Sequence, residues 1–195
     1  MQPPARFDVL VIGSGASGLA AAVAAERAGA RVGLATKGSI QANNSSKAQG
    51  GIQASFGADD SPELHAEDVM RSSHETADPR LVEVLVGEAA AAIHWLEELG
   101  CAFTRENGGY RLARCGGASR RRLLQVGDRT GHAITKSLRD AHESGAAVSF
   151  QNHALAELRP TAGGWQATFD VKDDDGAMIE AGTVILAAGD RKSVV

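Results

Sequence analysis

The stretch Phe7-Asp8-Val9-Leu10-Val11-Ile12-Gly13-Ser14-Gly15-Ala16-Ser17-Gly18 decides how this chain folds. It opens with mostly apolar and β-branched residues, which are typical of a strand buried on both faces of a parallel sheet. The glycines that follow have the Gly-x-Gly-x-x-Gly spacing, and residues 19–27 after them are rich in alanine and predict a helix. Because residues 31–36 predict a second strand, this part of the chain is expected to form a strand-helix-strand unit.

Each glycine of the motif has a physical role in holding a pyrophosphate. Gly13 permits the tight turn, Gly15 lets the phosphates approach the backbone, and Gly18 lets the helix pack closely on the strand. The N-terminus of the helix then stabilises the negative charge. The sequence therefore predicts a phosphate-binding turn composed of Gly13, Ser14, Gly15, Ala16, Ser17 and Gly18. The alternative is a tight turn that binds no ligand.

Length and composition exclude several classes of protein. The chain has 195 residues, a formal net charge of -4, 43% hydrophobic residues and 23 glycines, which indicate a soluble globular protein of one or at most two domains. No apolar run approaches the roughly 20 residues of a transmembrane helix, and residues 1–6 lead into a strand rather than a signal peptide. We therefore expect a cytoplasmic protein without membrane insertion. The charge pattern gives no reason to expect a nucleic acid as partner.

Helices are expected in the middle of the chain, after a long polar loop. The loop covers residues 37–61 and is long enough to be functional. One amphipathic helix is expected from Pro62, a second over residues 80–99 and a third over residues 130–144.

Strands are expected on both sides of the third helix. Residues 101–105 and 110–114, joined across Asn107-Gly108-Gly109, predict a hairpin, because Asn-Gly tolerates the positive backbone angles of a tight turn. Alternating apolar positions at residues 155–158, 165–171 and 178–186 predict a three-stranded antiparallel meander. The expected fold class is α/β: a parallel sheet with helices, interrupted by a small antiparallel β-meander.

The close of the second predicted strand departs from the usual dinucleotide pattern. An acidic residue commonly hydrogen-bonds a ribose hydroxyl there, but this chain has Thr36-Lys37. Lys37 either contacts a ribose or phosphate or is a solvated strand end, and this position alone does not decide between the two. A nicotinamide-dependent dehydrogenase is disfavoured, because it needs the acidic residue.

The segment Asn43-Asn44-Ser45-Ser46-Lys47-Ala48-Gln49-Gly50-Gly51-Ile52 suits a backbone that wraps closely around a flat polar ligand. It resembles the loop of the flavoprotein subunits of succinate dehydrogenase and fumarate reductase, and of L-aspartate oxidase, in which an Ala-Gln-Gly-Gly stretch lies against the flavin. Thr36-Lys37 also occurs in that family. Residues 115–120, 127–132 and 182–189 resemble three further motifs, so the resemblance runs from about residue 7 to residue 189.

The resemblance implies a Rossmann-like FAD-binding domain and a role for individual residues. The phosphate-binding turn is expected to hold the FAD pyrophosphate. Thr36, Lys37 and Gly38 are expected on the adenosine side, with the backbone of Ala154 near the adenine. The remaining contacts implied for the flavin end and the returning strand are Asn44, Ser45, Ser46, Ala48, Gln49, Gly50, Gly51, Ala188 and Gly189.

The resemblance also bears on how FAD is attached. Membrane-bound members of the family attach the flavin covalently through a histidine of this loop. Counting back from Gln49-Gly50-Gly51 places Asn44 at that position, and a side-chain amide cannot form the bond. The resemblance therefore implies non-covalent FAD.

The activity implied is that of an FAD-dependent oxidoreductase which transfers a hydride between FAD and a four-carbon dicarboxylate. Two alternatives stay open: an L-aspartate oxidase, which forms iminoaspartate for NAD biosynthesis, and an FAD-binding fragment without turnover. Arg122-Leu123-Leu124-Gln125 departs from the Arg-x-Leu-His that L-aspartate oxidases commonly have, and Ala118 stands where a polar residue is common. We assign no catalytic residue, and an iron-sulfur or other electron-acceptor partner is left unidentified.

The expected domain covers residues 1–189 and is incomplete, because family members continue with a capping domain and a helical region. Residues 190–195 do not continue the family pattern. We interpret them as a non-native tail on a truncated reading frame.

Several charged residues do not predict a site of their own. We interpret Arg120-Arg121-Arg122 as a solvated run on the surface rather than as a contact for a dicarboxylate. His65-Ala66-Glu67-Asp68 and His74-Glu75 match no metal-binding spacing, and exposed histidines are common on helices. We therefore expect no metal site.

Overall fold

The computed structural model describes residues 5–171 and 176–189. These residues divide into two compact units, the first formed by the residues up to Lys47 together with those from Thr135 onward, the second by Ala48–Ile134. The expected tail at residues 190–195 lies outside the described residues and stays a prediction, as does the single domain over residues 1–189.

The helices and strands are numbered in chain order. They are β1 (Ala5–Ile12), α1 (Ala16–Arg27), β2 (Val32–Ala35), α2 (Asn44–Lys47), β3 (Ile52–Gln53), α3 (Pro62–Ser72), α4 (Pro79–Glu98), β4 (Arg105–Glu106), β5 (Gly109–Tyr110), β6 (Leu123–Leu124), α5 (Thr130–Glu143), β7 (Val148–Phe150), β8 (His153–Thr161), β9 (Gly164–Val171) and β10 (Ala177–Leu186).

Six strands of the first unit form one sheet in the order β7-β2-β1-β10-β9-β8. β1 lies parallel to β2 on one side and to β10 on the other, and β2 is parallel to β7. β9 is antiparallel to β10, and β8 is antiparallel to β9. The expected α/β fold class and the three-stranded antiparallel meander are therefore confirmed.

β10 belongs to both parts of this sheet. Its first residues, 177–181, pair with β9, while the residues from Ile179 to Leu186 pair with β1. The parallel strands and the meander consequently share one strand rather than lying side by side.

The sequence analysis missed β7. This strand has only three residues, which is too short to give a periodic signal, and Val148 at its start is exposed. Its position is fixed by packing and pairing with distant residues. Phe150 lies edge-on against Phe7 with ring centroids 5.7 Å apart, and its carbonyl oxygen accepts the Thr36 N–H at 2.9 Å.

The buried centre of the first unit is the middle of the sheet and the face of α1. Leu10 of β1 and Leu34 of β2 expose none of their surface, and Leu19 and Val23 of α1 are almost as buried. Burying a large apolar side chain contributes roughly 1.5–3 kcal/mol. This packing therefore fixes the turn that joins β1 to α1.

The second unit contains α3 and α4, which begin within one residue of the predicted positions. Ser61 and Asp78 cap the two helices with side-chain oxygens that accept backbone N–H groups at 3.3 and 2.9 Å, and Pro62 and Pro79 follow these caps. Among the described residues, no helix is both long enough and apolar enough to cross a membrane.

The hairpin of β4 and β5 is shorter than predicted. Asn107 and Gly108 have φ values of 51° and 82°, which identify a two-residue turn with both central residues left-handed. Only two residue pairs follow, Arg105 with Tyr110 and Glu106 with Gly109. The predicted turn is confirmed, and the predicted strand lengths are wrong.

Gly18→Ala is expected to destabilise the first unit. A Cβ at Gly18 would lie 1.9 Å from the carbonyl oxygen of Gly13, a backbone atom that moves only if the turn opens. Overpacking of this kind costs about 1–3 kcal/mol. The free energy of unfolding, measured with urea, should fall by at least about 1 kcal/mol.

Gly87→Ala is the matched control. Gly87 is exposed in α4, and a Cβ there would have no atom within 4 Å among the described residues. This substitution is expected to raise the free energy of unfolding by about 0.5–1 kcal/mol, because alanine favours a helix more than glycine. Similar effects of the two substitutions would contradict the packing described for Gly18.

Candidate functional site

The turn between β1 and α1 is held by backbone contacts that require glycine at position 13. Gly13 has a φ of +114°, and a Cβ there would lie 2.3 Å from the carbonyl oxygen of Ala187. Its N–H donates to the Ala35 carbonyl oxygen at 2.8 Å, and the Ala187 N–H donates to that of Ile12, also at 2.8 Å. The ends of β1, β2 and β10 therefore meet at the carboxyl edge of the sheet, where open α/β sheets bind ligands.

The N-terminus of α1 lies at this edge. Gly15 is the N-cap residue and has no side chain with which to cap the helix, and the first turn contains no acidic residue. The Ala16 N–H donates to Ser45 Oγ at 3.1 Å. A helix N-terminus of this kind attracts a phosphate, since its first N–H groups and its dipole both favour negative charge.

Gly15 leaves room for a ligand beside this terminus. Its φ of -70° is one that any residue adopts, and the only described atom near a Cβ there is Ser45 Oγ, at 3.3 Å. Packing within the protein therefore does not demand glycine at this position. A pyrophosphate lying against the backbone does, so the turn fits the phosphates of a dinucleotide.

The end of β2 carries hydroxyl groups where a carboxylate is usual. Ser14 Oγ and Thr36 Oγ1 lie 3.0 Å apart, and both residues are buried. The Thr36 carbonyl oxygen accepts the His153 N–H at 2.9 Å, so Ala154, at the start of β8, is adjacent in the chain to a residue bonded to Thr36. Lys37 is exposed. This strand end presents groups suited to a ribose or a phosphate.

Side chains of the loop after β2 order its backbone. The Gly38 carbonyl oxygen accepts the Asn152 N–H at 3.2 Å. Asn43 Oδ1 accepts the Ser46 N–H at 2.8 Å, and Ser46 Oγ donates to the Asn43 carbonyl oxygen at 2.8 Å. These bonds form α2, a single helical turn within the predicted loop, and Asn44 is exposed at its first position.

Ala188 and Gly189 follow β10 at the carboxyl edge of the sheet. Leu186, the last residue of β10, pairs with Ile12, the last residue of β1. Ala188 and Gly189 are exposed, and Gly189 has a φ of +76°. They therefore lie two and three residues beyond the end of β10.

In the second unit, residues 48–51 form an exposed strip of backbone. The Ala48 carbonyl oxygen accepts the Gly131 N–H at 2.9 Å. The Gly50 carbonyl oxygen accepts a bond from Gln125 Nε2 at 2.8 Å. The strip is consequently held from one side and open on the other.

The predicted site residues thus form two sets, each within one unit. The first unit contains Gly13, Ser14, Gly15, Ala16, Ser17, Gly18, Thr36, Lys37, Gly38, Asn44, Ser45, Ser46, Ala154, Ala188 and Gly189; the second contains Ala48, Gln49, Gly50 and Gly51.

The structure corrects the expectation that residues 120–122 are a solvated run. Arg122 exposes none of its surface; its guanidinium donates to both carboxylate oxygens of Asp60, at 2.8 and 3.0 Å, and lies 3.1 Å from Asp68 Oδ2. A guanidinium keeps its charge when buried and therefore needs such carboxylates beside it. Arg121 is exposed and Arg120 half-buried, so the expectation is wrong for Arg122.

Asp68 links this ionic cluster to the loop before Arg122. Its Oδ2 accepts the N–H of Ser119 at 2.7 Å and the hydroxyl of the same residue at 2.9 Å, and Arg71 pairs with its other oxygen. Burial acts to raise the pKa of Asp68, but the bonds from Ser119 and the cations Arg71 and Arg122 outweigh it and hold the pKa below its usual range. Asp68 therefore stays ionised at neutral pH.

His65 is buried in the structure, which corrects the expectation of an exposed histidine on this helix. It exposes 3% of its surface, and its Nδ1 has no hydrogen-bond partner among the described residues. It lines a cleft of about 310 Å³ together with Gln53 and Cys115. Burial lowers the pKa of His65, and the Arg122 guanidinium lowers it further. The imidazole is therefore neutral at neutral pH.

Sequence reasoning missed the cluster of Asp60, Asp68 and Arg122, and the contact of Gln125 with Gly50. Arg122 lies 62 positions after Asp60, so no local spacing reveals the pair. The sequence held one weak indication that Arg122 is buried: it directly precedes the apolar residues of β6. Within residues 5–171 and 176–189, no group of three or more His, Cys, Asp or Glu side chains is arranged to hold a metal ion.

Comparisons with known proteins identify relatives of this chain. It is 36% identical to L-aspartate oxidase of Nostoc sp. over 189 residues, which are 95% of this chain and 32% of that protein. It is 39% identical to a subunit of the fumarate reductase (CoM/CoB) of Methanothermobacter marburgensis over 138 residues, 68% of this chain and 25% of that protein. The chain therefore spans about a third or less of the length of these curated relatives.

Solved structures of related enzymes have a similar fold. The Sdh1 complex of Mycobacterium smegmatis matches with a TM-score of 0.88 and 29% identity, over 95% of this chain and 34% of that one. A flavocytochrome c3 fumarate reductase matches with a TM-score of 0.85 and 29% identity, over 95% of this chain and 34% of that one.

A family profile described as FAD binding domain matches residues 8–194. The chain belongs to this family of FAD-binding domains, and FAD is the family's cofactor. The resemblance to the flavoproteins of succinate dehydrogenase, fumarate reductase and L-aspartate oxidase is confirmed.

Arg122→Met is expected to destabilise the second unit by about 3–5 kcal/mol, because it leaves the buried carboxylate of Asp60 without its cation and that of Asp68 with Arg71 alone. Arg121→Met is the matched control, since the side chain of Arg121 is exposed, and its effect should stay within about 0.5 kcal/mol. Urea unfolding of both variants measures the difference. Equal losses would show that the buried ion pairs do not support the fold.

Proposed function

We propose that this chain binds FAD non-covalently and holds it for an oxidoreductase that transfers a hydride between FAD and a four-carbon dicarboxylate. The observation that carries the proposal is the N-terminus of α1 at the carboxyl edge of the sheet, where Gly15 leaves the backbone open. Membership of the FAD-binding domain family supports the identity of the ligand.

The chain's own residues would bind and orient FAD. The N-terminus of α1 stabilises the pyrophosphate charge, and Ser45 orders that terminus through its bond from the Ala16 N–H. Thr36, Lys37 and Gly38 bind the adenosine side, with the backbone of Ala154 near the adenine. The remaining contacts proposed are Asn44, Ser46, Ala48, Gln49, Gly50 and Gly51 at the flavin end, and Ala188 and Gly189 after β10.

FAD, when bound, supplies the two-electron chemistry by accepting or giving a hydride. The substrate class is proposed from the relatives, because L-aspartate and fumarate, after which those enzymes are named, are both four-carbon dicarboxylates. The reaction also needs a group that moves a proton on the neighbouring atom of the substrate. We propose no residue of this chain for that step.

Two narrower functions compete with the general one. Identity of 36% to L-aspartate oxidase of Nostoc sp. favours oxidation of L-aspartate. Gln125, in place of a histidine, counts against that activity, and residues 128–132 resemble the succinate dehydrogenase side. Anaerobic bleaching of bound flavin by L-aspartate or by succinate separates these two. No bleaching by either favours an FAD-binding fragment without turnover.

An iron-sulfur partner and a cytoplasmic location stay predictions.

FAD taken up by the purified chain is expected to return to the supernatant on acid precipitation, because the Asn44 amide cannot form the covalent bond that a histidine forms at this position of the family. Absorbance of supernatant and pellet measures the release. Yellow colour in the pellet would contradict the argument from Asn44. Absence of uptake by folded chain would contradict FAD binding itself.

Gly15→Ala is expected to weaken FAD binding about tenfold or more, because the new methyl group occupies space that the pyrophosphate needs. The φ of Gly15 suits alanine, so the free energy of unfolding should change little. Titration of FAD by quenching of its fluorescence gives the affinity, with Gly87→Ala as control. Wild-type affinity in Gly15→Ala would show that the phosphates bind elsewhere.

A further inference from the structure

The strip of residues 48–51 lies against residues 122–131 of the same unit. β3, which follows the strip, pairs with β6. A Cβ on Gly51 would lie 2.4 Å from the carbonyl oxygen of Leu124. The strip and the segment behind it are therefore in direct backbone contact.

One side chain of this segment also bonds to the strip. Gln125 Nε2 donates to the Gly50 carbonyl oxygen at 2.8 Å. The backbone of Gln125 is itself anchored, because its carbonyl oxygen accepts the Thr104 N–H at 2.8 Å and the next residue, Val126, donates its N–H to Thr130 Oγ1 at 3.1 Å. Gln125 thus reaches Gly50 from a fixed position just before α5.

Packing does not fix the orientation of Gly50. A Cβ there would have no atom within 4 Å in the part of the chain that the structure describes, and glycine allows a wide range of backbone angles. The bond from Gln125 supplies the missing restraint on its carbonyl group. Because the peptide between Gly50 and Gly51 is planar and trans, fixing this carbonyl turns the Gly51 N–H to the opposite side.

We propose that Gln125 is a positioning residue for the flavin end of the cofactor site. By holding the Gly50 carbonyl group, it presents the Gly51 N–H, on the side facing away from Gln125, as a hydrogen-bond donor for the flavin. This inference rests on the proposed function, in which Gln49, Gly50 and Gly51 contact the flavin. A donor fixed in advance stabilises the electron-rich reduced form of the ring, which raises its midpoint potential.

A purely structural role for Gln125 has a different signature. Loss of a partly exposed hydrogen bond then lowers the free energy of unfolding and leaves bound FAD unaffected. The positioning role instead changes the affinity for FAD and its midpoint potential. The two roles are separated by measuring both properties on the same variants.

Two variants remove the donor while keeping the length of the side chain. Gln125→Met is neutral, and Gln125→Glu places a carboxylate, which cannot donate, against the Gly50 carbonyl oxygen. Gln53→Met is the matched control, because Gln53 lies in the neighbouring strand β3 and lines the cleft beside His65. Each protein is titrated with FAD by fluorescence quenching, its midpoint potential is measured, and its unfolding by urea is followed.

Gln125→Met is expected to weaken FAD binding about threefold to tenfold, the effect of one neutral hydrogen bond. Its midpoint potential should become more negative, with a larger change in Gln125→Glu and none in Gln53→Met. Wild-type affinity and potential in both Gln125 variants would overturn the positioning role and leave the proposed function standing. Wild-type chain that takes up no FAD would refute the proposed function, and this inference with it.

Discussion

The first unit depends on how closely α1 approaches the end of β1. A Cβ on Gly18 would meet the Gly13 carbonyl oxygen, and a Cβ on Gly13 would meet that of Ala187, so helix and strands touch through bare backbone. This approach brings the N-terminus of α1 to the carboxyl edge of the sheet. The bonds of Ser14 with Thr36 and of Ala16 with Ser45 form at this edge.

The second unit contains a network of buried charges. Arg122 joins Asp60 and Asp68, which lie on either side of the start of α3, and Asp68 continues the network to Ser119. A buried network of this kind contributes little net free energy compared with an apolar core. Its partners must nevertheless all be present, since a charge left alone in the interior is costly. The network therefore fixes which segments of this unit come together.

Features set by neighbouring residues were predictable from the sequence, and features set by distant ones were not. The spacing from Gly13 to Gly18, the starts of α3 and α4 and the turn at Asn107-Gly108 were each visible as local patterns. β7 was missed because its three residues owe their place to β2. Arg122 was misjudged because its partners precede it by more than 50 positions, and the bond from Gln125 to Gly50 spans 75.

The shared strand β10 has a consequence for the order in which the chain folds. Ala5 of β1 pairs with Ile179 of β10, so the central pairing of the sheet joins opposite ends of the described chain. Contacts between residues so far apart in sequence form slowly, because a long loop must close first. During synthesis on the ribosome, β1 is complete long before β10 emerges. One hydrogen-bonding edge of a buried apolar strand therefore stays open until β10 emerges, and a nascent chain with such an open edge is prone to pair with the wrong strand.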